Sequence, residues 1–160
     1  MIRLCDNSAL SALAEINQLA ILPNLFGTVV ISQAVLEEAR HPGAPSSLRE
    51  FITNPPDWLT IVANPLELLP AARHLGMGEA SLITLAFRDP AHKTLILDDL
   101  PARMIAQKSG LRIIGTLGIL EEASLQGLLD FGSTLKQLQD TGFHLNSKLM
   151  ESVRRRIDAR

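Results

Sequence analysis

Thr94-Leu95-Ile96-Leu97-Asp98-Asp99-Leu100-Pro101 is a short apolar run that closes on two carboxylates and then meets a proline. An apolar run of this length without polar alternation reads as a strand covered on both faces. Proline is favoured in a first helical turn, so the acids sit where strand gives way to helix, with Asp99 or Leu100 as N-cap. Two further segments place acids at comparable points. Met1-Ile2-Arg3-Leu4-Cys5 ends on Asp6, and Glu79, after Gly76-Met77-Gly78, opens a helical run that reaches Phe87. In an open parallel sheet, ligands bind outside the carboxyl ends of the strands. Acids gathered there repel one another, and the usual reason to gather them is a divalent cation that prefers oxygen ligands, Mg²⁺ or Mn²⁺.

Working outward, strands are expected at 2–5, 28–31, 59–62, 94–97 and 112–114. Helical patterns fall between them: 9–16 capped by Ser8, a short one within 19–26, 33–40 capped by Ser32, and 117–126 capped by Thr116 and ended by Gly127. Alternation of this kind indicates an α/β domain with a mostly parallel, doubly wound sheet of about five strands. Residues 41–57 carry Pro42, Pro45, Pro55 and Pro56 and read as an excursion around one helix near 47–52. After Gly127 the strand patterns cease, and 131–139 and 147–157 read as helices. Residues 1–160 are therefore expected to form a single domain, with 128–160 as a helical C-terminal extension.

The chain has 160 residues, 46% hydrophobic and 20% charged, which is ordinary globular composition. A net charge of −2 argues against an overall electrostatic grip on nucleic acid and leaves a local basic patch open. The single cysteine, Cys5, can form no internal disulfide, which fits a reducing compartment. No signal-peptide pattern and no apolar stretch near the roughly 20 residues of a membrane span is present. The expectation is a soluble cytoplasmic protein with no membrane association.

Each acid also has an ordinary structural role available. Asp6 and Asp99 are good N-caps, and Glu79 complements a helix dipole. Taken together, acids at three strand ends or helix starts that the winding brings close favour a cation between them. Glu38 is a further candidate, since it lies beside the buried stripe Ala34, Val35, Leu36 and Ala39 while Glu37 points outward. His41, His74, His92 and His144 lack metal-ligand spacing, so zinc is not expected. Weaker substrate-binding candidates are Ser8, Arg103 (which could face the site or pair with Asp99) and Thr116, in a Gly115-Thr116-Leu117-Gly118 turn able to approach a phosphate. Arg154-Arg155-Arg156 with Lys148 makes a basic C-terminal helix suited to phosphate contacts. Aromatic content of 4% without tyrosine leaves few platforms for base stacking. An alternative of a different class is a noncatalytic α/β interaction module that uses its apolar helices to dimerise or bind a partner.

Asp6-Asn7-Ser8-Ala9-Leu10, Gly78-Glu79-Ala80 and Leu97-Asp98-Asp99 together resemble the PIN domain, most closely its VapC-related branch. The likeness continues through Ser32-Gln33-Ala34-Val35-Leu36-Glu37-Glu38, Arg103, Ala106, Gly110-Leu111, Gly115–Leu120 and Gly142-Phe143-His144-Leu145. Ala9 and Gln33 stand where the pattern has proline, and neither is a ligand position. The resemblance implies a PIN-like three-layer α/β/α fold and an acidic pocket for Mg²⁺ or Mn²⁺. It implies phosphodiester hydrolysis, usually in RNA, by a toxin-type ribonuclease. Carried over by position, Asp6, Glu79, Asp98 and Asp99 would be metal ligands, and Glu38 would join them as a catalytic acid. The partners implied are an RNA substrate, a small antitoxin protein over the cleft and a second copy in a homodimer.

Overall fold

The computed structural model describes residues 2–89, 94–145 and 147–159; His92 lies outside them. Five strands, β1 (Arg3–Cys5), β2 (Val29–Ser32), β3 (Leu59–Val62), β4 (Thr94–Ile96) and β5 (Arg112–Ile114), form one sheet in the order β3-β2-β1-β4-β5. Every pairing is parallel, so the sheet is wholly rather than mostly so. The apolar runs have the expected consequence: Leu4, Cys5, Val29, Ile31, Leu95 and Ile96 are all completely buried. The second strand lies one residue later than its apolar pattern suggests, because Ser32 pairs with Val62 before its hydroxyl caps the next helix.

The helices are α1 (Asn7–Glu15), α2 (Ile21–Phe26), α3 (Gln33–Arg40), α4 (Ser46–Thr53), α5 (Met77–Arg88), α6 (Leu100–Lys108), α7 (Thr116–Leu125), α8 (Phe131–Asp140) and α9 (Ser147–Asp158). A 3-10 turn at Pro70–Ala72 follows β3; no periodicity marks it in the sequence. From β1 the chain steps through β2 to β3 in one direction, then returns to β4 and continues to β5 in the other. With right-handed crossovers this reversal puts the connecting helices on opposite faces. Accordingly α5 packs on β1, β2 and β4, and α6 on α5 and β5, whereas α7 packs against α1 and α2. The C-terminal helices α8 and α9 both pack on α7.

The reversal makes a topological switch point between β1 and β4, where crevices open at the carboxyl ends of an α/β sheet. The Asp6 amide donates to the Ile96 carbonyl at 3.0 Å, and the Leu97 amide donates to the Ile114 carbonyl at 2.9 Å. These bonds fix Asp6 and Asp98 as the first acids beyond adjacent strand ends. No helix among the described residues is long and apolar enough to cross a membrane.

Candidate active site

Asp6 occupies the N-cap position of α1, yet its carboxylate makes no side-chain capping bond. Only 3% of it is exposed. Ser8, expected as the cap, lies inside the helix, and its hydroxyl donates to Asp6 Oδ2 at 3.1 Å. Asp6, Asn7 and Ser8 are all good caps in isolation; the strand's bond to Ile96 decides which one takes the position.

Thr116 holds Asp98 with two donors. The Thr116 amide donates to Asp98 Oδ1 at 2.8 Å and its hydroxyl to Oδ2 at 2.6 Å. Thr116 is therefore the first residue of α7 rather than its cap; Gly115 is the cap, without a side chain to contribute. Gly115 also makes room for two side chains. A Cβ there would lie 2.8 Å from Arg103 Nη1 and 2.9 Å from Asp98 Oδ1. Arg103 does not pair with Asp99 as one alternative expected; Nη1 donates to the Leu97 carbonyl at 2.9 Å, across Gly115 from Asp98.

Asp99 caps α6, accepting from the Ala102 amide at 3.0 Å. Its carboxyl also lies near enough to Glu79, in the first turn of α5, to raise it. Glu38 is half-buried on α3 while Glu37 is exposed, as the apolar stripe predicts. The Glu38 carboxylate takes the Gly78 amide and packs so closely on that residue that any Cβ at Gly78 would collide with it. The Ser32 and Ser81 hydroxyls, both fully buried and 2.7 Å apart, tie α5 to the start of α3 and so set Glu79 beside Glu38.

The electrostatics show that these acids share one environment. Burial is the main reason the Asp6 carboxyl lies above its ordinary range; the charge of Asp98 adds to it, and the Asn7 amide and Ser8 hydroxyl pull it back. Glu38 is raised by burial and then by Asp6. Glu79 is pushed up to about 7 by burial first, then by the charges of Asp6 and Asp99, the bond to Asp99 and the charge of Glu38. Burial, Asp6 and Asp98 likewise push the Cys5 thiol well above its usual value. Among the described residues no ion pair to lysine, arginine or histidine joins any of the five acids.

Asp6, Glu38, Glu79, Asp98 and Asp99 thus converge. They are not drawn into a finished shell: among the described residues no three potential ligands lie at metal-binding spacing. Four of the five carboxylates are drawn to donors of their own, Ser8, the Gly78 amide, Thr116 and the Ala102 amide, and Glu79 lies among the other acids. The donor set fits a hard divalent cation. Only carboxylate oxygens are offered, three of the acids are held against ionisation, and a cation would relieve all three.

Two arginines of the C-terminal basic run pair with acids outside the site. Arg156 Nε and Nη2 donate to both oxygens of Glu121 at 2.6 and 3.0 Å, clamping α9 to α7, and Arg155 pairs with Glu151. What the sequence does not reveal is a second opening on the flank of Glu38. Asn7, His41, Gly43, Ala44 and Pro45 line it with Glu38, around a volume of about 370 Å³. Its only sequence signal is the His41-Pro42-Gly43-Ala44-Pro45 loop, whose histidine carries no motif.

A family model described as PIN domain matches residues 2–159. No curated protein and no solved structure matches the chain.

Proposed function

Because the chain belongs to the PIN domain family, whose members are generally nucleases that use divalent metals, we propose that it is a metal-dependent ribonuclease of the toxin type. One observation carries this reading. Five acids from the β1–α1 junction, α3, α5 and the β4–α6 junction act electrostatically on one another at the switch point, without a cationic partner among the described residues.

Mg²⁺ or Mn²⁺ would be held by Asp6, Glu79, Asp98 and Asp99, with Glu38 bound directly or through water. Such an ion, when bound, acidifies a water for in-line attack on phosphorus and stabilises charge on the leaving oxygen. The chain's own work is positioning. Ser8 and Thr116 fix the two acids nearest the strand ends, so both present oxygens without a rotamer search. Glu79, pushed up to about 7, can hold a proton near neutrality and would release it to a bound cation. Arg103, held at the Leu97 carbonyl beside Asp98, supplies positive charge toward the phosphate backbone.

Leu100 and Met104, one helical turn apart on α6, are 67% and 48% exposed at the rim next to Asp99. An antitoxin-type protein, or a second copy of the chain in a homodimer, would cover them. The deciding experiment compares RNA cleavage in Mg²⁺ by the native protein, Asp6→Asn and Asp98→Asn. Cleavage should vanish in both variants while circular dichroism stays native. Equal cleavage by all three would refute the proposal.

A further inference from the structure

The chain's single tryptophan, Trp58, directly precedes β3, and its carbonyl accepts the Val29 amide at 2.9 Å. It therefore sits at the amino end of the strands, the edge opposite the acids. Its ring meets that of Phe51, on α4, with centroids 5.7 Å apart and planes tilted by 34°. Both side chains are only partly buried, and with Ala14 they line an opening of about 590 Å³ between the end of α1 and α4. That is the size of a small-ligand cleft. The rim is polar. Asn17, in the left-handed turn that ends α1 (φ 57°), and Asn54, just past the end of α4, bring two amides, each able to donate and to accept. Glu50 is the one charged residue of the lining, and it is exposed.

With no cation in the lining, a phosphate or carboxylate gains nothing there. A cation gains little, because water weakens the field of the exposed Glu50 carboxylate. A flat, uncharged ring with polar edges fits both parts, its face on the aromatic side chains and its edge on the amides. A nucleobase has that form, and an aromatic platform accepts any base because every base has a π-face. The path from the acids is set by α1, which starts at Asp6 and runs back to the opposite edge of the sheet. Asn7, Ser11 and Ala14 share one of its faces; Asn7 lines the opening beside Glu38 and Ala14 lines this one, about 10 Å further along the helix. α4 packs on α1 and joins the same two openings, with Pro45 in one lining and Ser47 in the other. We propose that the Phe51–Trp58 cleft is a subsite for a base of single-stranded RNA a few nucleotides from the scissile phosphate, stacked on the aromatic pair with its edge on Asn17 and Asn54. The inference rests on the nuclease reading above and gives the strand a second anchor away from the acids.

Tyrosine is absent, so the protein's emission comes from Trp58 and reports the subsite directly. A labelled single-stranded oligoribonucleotide is titrated with Ca²⁺ in place of Mg²⁺, and the anisotropy of the label is read together with the Trp58 emission. Binding should quench Trp58, and both signals should saturate together. The same strand carrying abasic residues keeps its phosphates and loses its bases. It should leave the emission unchanged and bind about fivefold to a hundredfold more weakly. Trp58→Leu should weaken the intact strand by a similar factor and the abasic strand not at all. The abasic comparison uses the native protein throughout, so the test holds should Trp58→Leu fold poorly. RNA binding without a change in emission, equal affinity for the two strands, no binding of RNA, or quenching by an arginine-rich peptide in place of RNA would overturn the inference. Base-dependent quenching in a protein that cleaves nothing in Mg²⁺ would keep the subsite and remove the nuclease reading. Cleavage with an unresponsive Trp58 would do the reverse.

Discussion

The Asp99 carboxyl, at the start of α6, helps to hold a proton on Glu79, at the start of α5, by its charge and by favouring the protonated form as a hydrogen-bond partner. Glu79 is the one displaced toward neutrality, to about 7 from an ordinary 4.5. Its folded value lies above its unfolded one, so this contribution to stability is complete below about pH 4.5 and is lost as pH rises through about 7. Asp6 and Glu38 are shifted in the same direction. In metal-free buffer the melting temperature should therefore fall across that window, and Glu79→Gln should flatten the slope. Thermal unfolding at several pH values measures it; a native profile no steeper than that of Glu79→Gln would contradict the shift.

Cation binding should be pH-dependent for the same reason. Adding Mn²⁺ above pH 7 should raise the melting temperature and bind without much proton release, whereas at pH 6 binding should expel protons. Calorimetry in two buffers of different ionisation enthalpy counts them. Asp6→Asn keeps an acceptor for Ser8 and removes a buried charge, so it should stabilise the metal-free protein. It should also weaken Mn²⁺ by roughly tenfold to a hundredfold or more.

Thr116→Val separates the two donors to Asp98. The amide bond persists and the hydroxyl bond at 2.6 Å is lost, in a position with no exposure. Loss of a charged hydrogen bond should cost about 1.5–3 kcal/mol in urea unfolding. Mn²⁺ affinity should drop with it, because Asp98 gains rotational freedom. An unchanged affinity would show that Asp98 needs no such restraint.

Gly115→Ala and Gly78→Ala probe close approach rather than backbone freedom. The first drives a methyl group onto Asp98 and Arg103, the second onto Glu38. Each should destabilise the chain by about 1–3 kcal/mol and reduce cleavage more than stability alone explains. Cleavage rates at matched folded fraction check this.

The strands were legible because a parallel sheet buried on both faces leaves uninterrupted apolar runs, and the acids were legible because they follow those runs directly. The caps were less so. Ser8 and Thr116 have the right chemistry for capping, yet each hydroxyl is turned to an aspartate, Ser8 to Asp6 two residues back and Thr116 to an Asp98 that tertiary structure places beside it. Thr116 and Asp98 are 18 residues apart and Ser32 and Ser81 49 apart, distances that no local pattern spans. Gly78 and Gly115 look like turn glycines in the sequence, but each makes room for a side chain from another element. Asn7 and His41 line one opening because α1 and the loop after α3 reach the same rim of the sheet.

Cys5, completely buried directly beneath Asp6, turns the molecule's lone thiol into a clock. Its sulfur is held in the unreactive protonated form, so a maleimide or iodoacetamide can label it only while β1 detaches from its neighbours. The labelling rate therefore counts how often the floor beneath the acids breathes, and it should slow when a cation fastens Asp6 in place.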